Sequence, residues 1–477
     1  MSADNLVSQS AHQSEPGNVL KSITDVVKGG YCVGCGGCAS LAESGREMQL
    51  NDLGLYQPEV TDRARAEISD QASRTICPFL GDGPHEDELA SRFGGPDAQP
   101  DRKLGWYRGL HAGYATSGDW RQNGSSGGLT SWILSELLSA DLVDGIIQVR
   151  ENLTDRSRPG FEFCISRTQA DLSASAKTRY YPIELSQVVR FVRETPGRYA
   201  FVGVPCFNKT LQRIAQQDEI VGERLKFFVA IICGHLKSSR FGESLAWQLG
   251  VKPGEAQAIN FRHKIAGRHA NSYGFSATNE VGETRVAPMS TLAGHDWGLG
   301  MFRLKACDYC DDVVGETADV SFGDAWLPKF SADSDGTNIV IVRNPIIEKI
   351  LRDGAESDAV ALEPLAPADM VKSQDASYRH RRDGLAYRLY LDDRAKRLRP
   401  LKRVQASSSH IDFSQKMIFR FRSAVSRKSH LIYLLARQKS DISIYTDFVA
   451  KATRTNNRLK RFDRVFKRLK AKFARGG

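Results

Sequence analysis

The sequence predicts a mixed α/β protein, with α+β character in its outer parts. A cysteine-rich, ferredoxin-like module stands before a mixed-sheet body, and a basic helical tail follows. Three observations predict this. Apolar, strand-length runs at 109–116, 145–149, 199–204, 227–232 and 339–342 are interleaved with helix-length amphipathic segments. Four of the nine cysteines, Cys32, Cys35, Cys38 and Cys77, gather near the N-terminus. The segment 401–477 holds 20 Lys+Arg against 4 Asp+Glu, or +16, while the whole chain carries +10, which leaves −6 elsewhere.

A chain of 477 residues is too long for one core, so about two to four domains are expected. The apolar share of 41% is ordinary for a globular protein. No run reaches the ~18 apolar residues of a membrane span. The opening stretch MSADNLVSQSAHQSEPGN is polar and lacks a basic start followed by an apolar run, so no secretory signal is read there. A cytoplasmic location follows, where thiols stay reduced and available to metals. The segments read as a disordered lead (1–24), a cysteine module (25–80), a linker or strap rich in Gly, Pro and acid (81–105), the body (106–395) and the tail (396–477).

Within the module, Cys32, Cys35 and Cys38 are separated almost only by glycine, and Cys77 is followed by Pro78. Glycine lets one tight loop aim three thiolates and its own N–H groups at one point. This is the spacing of a bacterial ferredoxin loop, and it predicts a 4Fe–4S cluster on Cys32, Cys35, Cys38 and Cys77. A structural zinc on the same four thiolates is the alternative. Between these cysteines, Met48 to Val60 predicts a hairpin turning at Asn51–Gly54.

In the body, a strand at 109–116 leads to Asn123-Gly124-Ser125-Ser126-Gly127-Gly128-Leu129-Thr130, then a helix and a strand. A glycine- and serine-rich loop opening a helix offers free N–H groups to a phosphate. It is neither a Walker loop nor G-x-G-x-x-G, and a surface turn with a serine N-cap fits the pattern as well. Lys177, Arg179 and Tyr180 supply two cations and an aromatic, suited to a diphosphate and a flat ring or to a solvated loop. Strands near 199–204 and 227–232 end at Cys206 and Cys233, where α/β sheets put their ligands. The segment 257–288 reads as short antiparallel strands, the first ending in Phe261-Arg262-His263-Lys264. Cys307 and Cys310 form a second C-x2-C knuckle, again zinc or iron–sulfur, needing two further ligands. Cys206 and Cys233 are the pair on offer, whereas Cys164 fits a packed strand position.

In the tail, Leu459, Phe462, Phe466, Leu469 and Phe473 step by three and four among lysines and arginines. Such an amphipathic cationic helix suits an anionic membrane surface, a partner, or its own body with a solvated basic face. No nucleic-acid recognition motif accompanies it.

Taken in order, these motifs, with Ala318-Asp319-Val320-Ser321-Phe322-Gly323-Asp324-Ala325-Trp326 and Arg381-Arg382-Asp383-Gly384-Leu385, resemble the beta-subunit family of coenzyme F420 hydrogenase and dehydrogenase. That family is similar to 7-hydroxymethyl chlorophyll a reductase. The resemblance spans about residues 26–390 and implies a flavoprotein with one or two 4Fe–4S clusters. It implies that Asn123, Gly124, Ser125, Ser126, Gly127, Gly128 and Thr130 form an FAD loop. Lys177, Arg179 and Tyr180 form its second segment, where Thr178-Arg179-Tyr180 departs from the family's Ser-Lys-Tyr. It implies that Cys206, Cys233, Cys307 and Cys310 hold the second cluster.

The expectation is therefore an FAD- and 4Fe–4S-dependent oxidoreductase served by a ferredoxin or another redox partner, with a homo-oligomer left open. Its substrate is unassigned, and a surface-polysaccharide setting with the tail at the inner membrane face is one expectation. No catalytic residue is assigned. His235, His263 and Asp324 stand as proton donors or structural residues. The alternatives are a zinc- or cluster-stabilised accessory protein in polysaccharide assembly, or an electron-transfer subunit of a larger complex.

Overall fold

Eight strands form the central sheet of the protein, seen in a computed structural model that describes residues 18–152 and 160–473. The expected lead lies largely outside the described residues, as does the side chain of Phe473. An N-terminal hairpin pairs β1 (Arg46–Leu50) with β2 (Tyr56–Val60), turning where Gly54 donates to the Asn51 carbonyl at 2.8 Å. A short ribbon joins β3 (Gln99–Asp101) to β4 (Gly105–Tyr107). The central sheet contains β5 (Gly109–Ala115), β6 (Gly145–Glu151), β7 (Phe161–Ser166), β8 (Tyr199–Gly203) and β9 (Leu225–Ile231). A separate antiparallel sheet holds β10 (Ala258–His263), β11 (Gly274–Thr278) and β12 (Thr284–Pro288). The central sheet is completed by β13 (Val320–Asp324), β14 (Asn338–Val342) and β15 (Val360–Pro364). Its order is β15-β5-β14-β13-β9-β8-β6-β7, with β13, β9, β8 and β6 mutually parallel and the flanking strands antiparallel.

Strand β9 shows why the central strands read as unbroken apolar runs. Phe227 and Val229 point into one core, and Phe228 and Ala230 into the other. A strand covered on both faces has no polar side to display. One face is covered by helices α1 (Leu129–Ser139) and, further on, Pro345–Glu356, through Trp132, Ile133, Ile347 and Leu351. The other is covered by α2 (Pro205–Gln217), whose Phe207, Leu211 and Ile214 pack with Tyr31, Val33 and Ile76 of the cysteine module. The module and the sheet thus share one core.

The segment 81–105 is held to the body. Arg213 donates to the carbonyls of Gly83 at 2.7 Å and Pro84 at 2.9 Å, and Lys209 pairs with Glu86 at 3.0 Å. The tail forms a hairpin of α3 (Phe413–Gln438) and α4 (Ser443–Phe473). Its proximal half is part of a core with the antiparallel sheet: Tyr433 and Tyr445 pack on Phe302, whose N–H donates to Ser429 Oγ at 2.9 Å. Its distal half leaves Phe462, Val465 and Leu469 exposed. Among the described residues, no helix is long and apolar enough to cross a membrane.

Candidate functional site

The parallel strands β6, β8, β9 and β13 all end at one edge of the sheet. There Gln148, Gly203, Cys233 and Asp324 line a cavity of ≈ 1410 Å³. This is the edge at which α/β folds bind ligands. Of the loop residues, Gly124, Ser125, Ser126, Gly128 and Thr130 line it, together with Lys177, Arg179 and Tyr180. Asn123 and Gly127 do not. Asn123 donates to Ser173 Oγ at 3.1 Å, and Gly127 lies against the Gly113 carbonyl and Asn338, which a Cβ would meet at 2.8 and 2.9 Å.

Two cations clamp the back of this loop. Arg262 donates to the Ser125 carbonyl at 3.2 Å while paired with Asp324 at 3.0 Å. Lys264 donates to the carbonyls of Arg121, Asp335 (2.9 Å) and Ser126 (3.4 Å). Burial pushes the Lys264 ammonium down to about 8. Among the described residues, the N–H groups of Ser125, Ser126, Gly127 and Gly128 donate to no protein acceptor. Gly128, at φ +80, starts α1 without a side-chain cap, and Asn338 Oδ1 takes only the Leu129 N–H, at 3.1 Å. Such a row of amides at a helix start suits an anion. Lys177 and Arg179 face the same space. Burial lowers the ionisation of both; Arg179 lowers Lys177 further, and Glu151 partly restores Arg179. Arg179 Nε is buried without a partner. Tyr180 packs edge-on against Trp297 at 4.7 Å.

The eight expected cysteine ligands fall into two groups. Cys32, Cys35, Cys38 and Cys77 lie near one another, Cys35 buried and the other three half-buried. Burial raises all four thiols, and neighbouring thiols raise Cys32, Cys38 and Cys77 further, Cys77 to about 11. Gly36, at φ +78, fits here because a Cβ would strike the Glu184 carboxylate at 2.4 Å. The Gly34 N–H donates to Cys32 Sγ at 3.3 Å. Cys206, Cys233, Cys307 and Cys310 form the second group, with Cys206 raised by burial, then by Cys310, Cys233, Cys307 and also Cys35 of the first group. The Leu236 N–H donates to Cys307 Sγ at 3.2 Å, and Arg381 donates to Cys310 Sγ at 3.0 Å. Thr210 Oγ1 lies between the groups, 2.9 Å from the Cys206 carbonyl and 3.6 Å from Cys35 Sγ. Among the described residues, no three His, Cys, Asp or Glu side chains close to single-ion distance. Two sets of four half-buried to buried thiols, each met by N–H, O–H or guanidinium donors, have the ligand chemistry of iron–sulfur clusters.

Cys164 sits on β7 beside Ser166 and Ser175, away from both groups. His235 lines the cavity with Nε2 unpartnered, held well below its ordinary value by burial and by Lys237. His263 does not line it. The residues that sequence reasoning gave no role are Arg381, Thr210 and Asn338, and Arg422, Lys460, Arg464 and Lys467 of the tail, which form one cavity wall. Arg381 lies in a recognisable run, Arg381-Arg382-Asp383-Gly384-Leu385, but its burial beside two C-x2-C cysteines was the missing signal.

The family model for the coenzyme F420 hydrogenase/dehydrogenase beta subunit N-terminus matches residues 110–190, and that for its C terminus matches residues 197–368. The chain belongs to this family. The matched region is shorter than the motif-based resemblance and leaves out the N-terminal cysteine module and the tail. Family membership makes the chain an oxidoreductase-type protein. An uncharacterised protein of Methanocaldococcus jannaschii is 24% identical over 241 residues, covering 49% of this chain and 79% of that relative. A chain of the F420-reducing [NiFe] hydrogenase complex from Methanosarcina barkeri superposes with a TM-score of 0.48 at 17% identity, covering 63% of this chain and 99% of that one.

Proposed function

We propose that this family member is an FAD- and 4Fe–4S-dependent oxidoreductase that passes electrons between a ferredoxin-like partner and a substrate held in the cavity. Cys32, Cys35, Cys38 and Cys77 would hold one cluster, and Cys206, Cys233, Cys307 and Cys310 the other. Gly124, Ser125, Ser126, Gly128, Thr130, Lys177, Arg179 and Tyr180 would hold FAD, with Asn123 and Gly127 shaping the loop from outside the cavity. When bound, these groups supply one-electron transfer and its coupling to a two-electron exchange with substrate. The observation that carries the reading is convergence: Val33 beside the first thiol group, Cys233 of the second and the glycine–serine loop all line one cavity. The amides of Ser125 to Gly128 would receive the diphosphate, and Lys177 and Arg179 would neutralise it. Arg381 and Thr210 would donate hydrogen bonds to thiolates and so set potential.

Anaerobic purification tests this. The expected product is brown, absorbs broadly in the visible, bleaches with dithionite and releases FAD on heating. A colourless protein holding zinc contradicts it and favours the accessory role. Co-purification of a catalytic partner would favour the electron-transfer subunit.

The distal part of α4 supports a further element of this proposal, peripheral contact with an anionic membrane in a surface-polysaccharide setting. Phe462, Val465 and Leu469 are exposed among Arg461, Arg468 and Lys470. Phosphatidylserine liposomes should sediment the protein, and Phe462→Ser with Leu469→Ser should abolish this; equal sedimentation of both proteins refutes the contact.

A further inference from the structure

We propose that the tail hairpin builds a second, oxyanion-binding subsite in the cavity that the glycine–serine loop lines, so that the substrate carries a phosphate or carboxylate group. This rests on reading the loop end of the cavity as the flavin end. The cavity, at ≈ 1410 Å³, exceeds the roughly 300–1,000 Å³ of a single small-molecule site. Part of its lining comes from α3 and α4, which lie beyond the matched family region. Four cations of these helices, Arg422, Lys460, Arg464 and Lys467, line the cavity together with Lys372 and Arg379 of the body.

The acids nearby do not balance them. Lys467 pairs with Asp463 at 2.9 Å, Lys460 reaches Asp296 only at 3.9 Å, and Arg379 pairs with Asp375. Arg464 and Lys372 have no acidic partner among the described residues. Arg422 donates to the neutral Asn456 Oδ1 at 3.2 Å. Burial lowers its ionisation, Asp296 partly restores it, and Arg303 and Arg379 oppose it. Arg422 and Lys460 are half-buried, and Arg464, Lys467, Lys372 and Arg379 are exposed. Cations gathered along one cavity lining with too few acids are relieved by an incoming anion, and guanidinium forks match phosphate or carboxylate oxygens in pairs.

The helix geometry separates this function from surface contact. Lys460, Asp463, Arg464 and Lys467 recur at three and four residues on the cavity side of α4. The exposed Phe462, Val465 and Leu469 occupy another side. A helix that only coated its own body would turn its apolar side inward and its cations outward. Here Lys460, Arg464 and Lys467 line the cavity, Lys460 half-buried and the other two exposed.

The test uses the full-length protein as isolated, its flavin content measured by absorbance. Pyrophosphate and citrate are titrated separately against the fluorescence of Trp297 and Trp326 in the cavity wall. At least one anion should bind, and its dissociation constant should rise at least tenfold in Arg464→Glu, with flavin content unchanged. Arg422→Gln, which alters a hydrogen-bonded residue, serves as the second variant and should show the same direction. Binding of pyrophosphate alone assigns the subsite to phosphate, and binding of citrate alone to carboxylate. No binding of either, or binding equal in the wild type and Arg464→Glu, overturns the inference whatever the flavin content. A protein without flavin that still loses anion binding in Arg464→Glu would keep the subsite and remove the proposed function.

Discussion

The two groups of four cysteines use the same ligand chemistry but are built in opposite ways. The first is mostly local: Cys32, Cys35 and Cys38 share one loop, and glycines fold them together. The second is built by topology. It takes Cys206 from the start of α2, Cys233 from the end of β9, and Cys307 and Cys310 from a turn before β13. Their electrostatics differ as well. The first receives donors that are mainly neutral, such as the Gly34 amide and Thr210. The second has the buried guanidinium of Arg381 on Cys310, and that cation also bears on Cys233 and Cys307. A cation beside a cluster would favour its reduced, more negative form. Under the proposed function the second group would have the higher potential, and electrons would run from the module toward the cavity.

The contrast is tested most severely at Arg403. Its guanidinium meets Glu316 at 2.8 Å, Asp87 at 2.6 Å, Asp311 at 3.5 Å and Glu86 at 3.6 Å, tying the 81–105 segment to the second knuckle. Arg403→Ala should cost about 1.5–3 kcal/mol in urea unfolding, because it removes a cation shared by buried Glu316, Asp311 and Glu86, which keep only Arg382, Lys402 and Lys209 respectively. Glu86 adds a pH signature. Burial acts to raise it, but Lys209 and Arg403 prevail and hold it at about 2 rather than 4.5. The stability it contributes is present above pH 4.5 and is lost as pH falls toward 2. Unaltered acid and urea unfolding in the variant would contradict this assignment.

Arg381→Met should lower the potential of the second group alone. Taking about 1.5–3 kcal/mol for a hydrogen bond to a charged group, the shift is roughly 60–130 mV in a redox titration followed by electron paramagnetic resonance. A shift in the first group instead would reverse the comparison. Thr210→Val should lower the first group's potential by a smaller amount, roughly 20–60 mV for a neutral hydrogen bond. If Thr210 gives its proton to the Cys206 carbonyl throughout, no shift will be seen.

The gentlest probe is pH at Lys264. Above about 8 its ammonium loses a proton, and with it the charge that holds the loop carbonyls. Flavin retention should fall as pH rises through 8, and Lys264→Arg should flatten the profile. Global stability should move the other way between pH 8 and 10.5, since the unfolded chain holds this proton more tightly. Parallel trends in the two measurements would exclude the clamp.

What was legible in the sequence follows chain distance. The buried strands, the hairpin turning near Gly54 and α1 after Gly128 were readable because period, apolar runs and glycine placement are local signals. The mixed sheet was readable as a class, but its order was not: β5, at the start of the body, pairs with β14 and β15 from its far end. The loop was visible as a motif, whereas its clamp by Arg262 and Lys264 comes from β10 and the turn after it, on a different sheet. The tail's stepping of three and four was correct as helix. It could not say which side meets the body, because cations lie both opposite the apolar stripe and along its edges. Only packing revealed that cations line the recess while Phe462 faces out.

The whole scheme stands or falls on the iron, acid-labile sulfide and FAD content of the anaerobically purified protein, compared with Cys35→Ala and Cys307→Ala. Roughly eight iron atoms and one flavin per chain are predicted, falling to about four iron atoms in each variant with flavin kept. Equal metal content in all three proteins, or one zinc ion in place of iron, would contradict it.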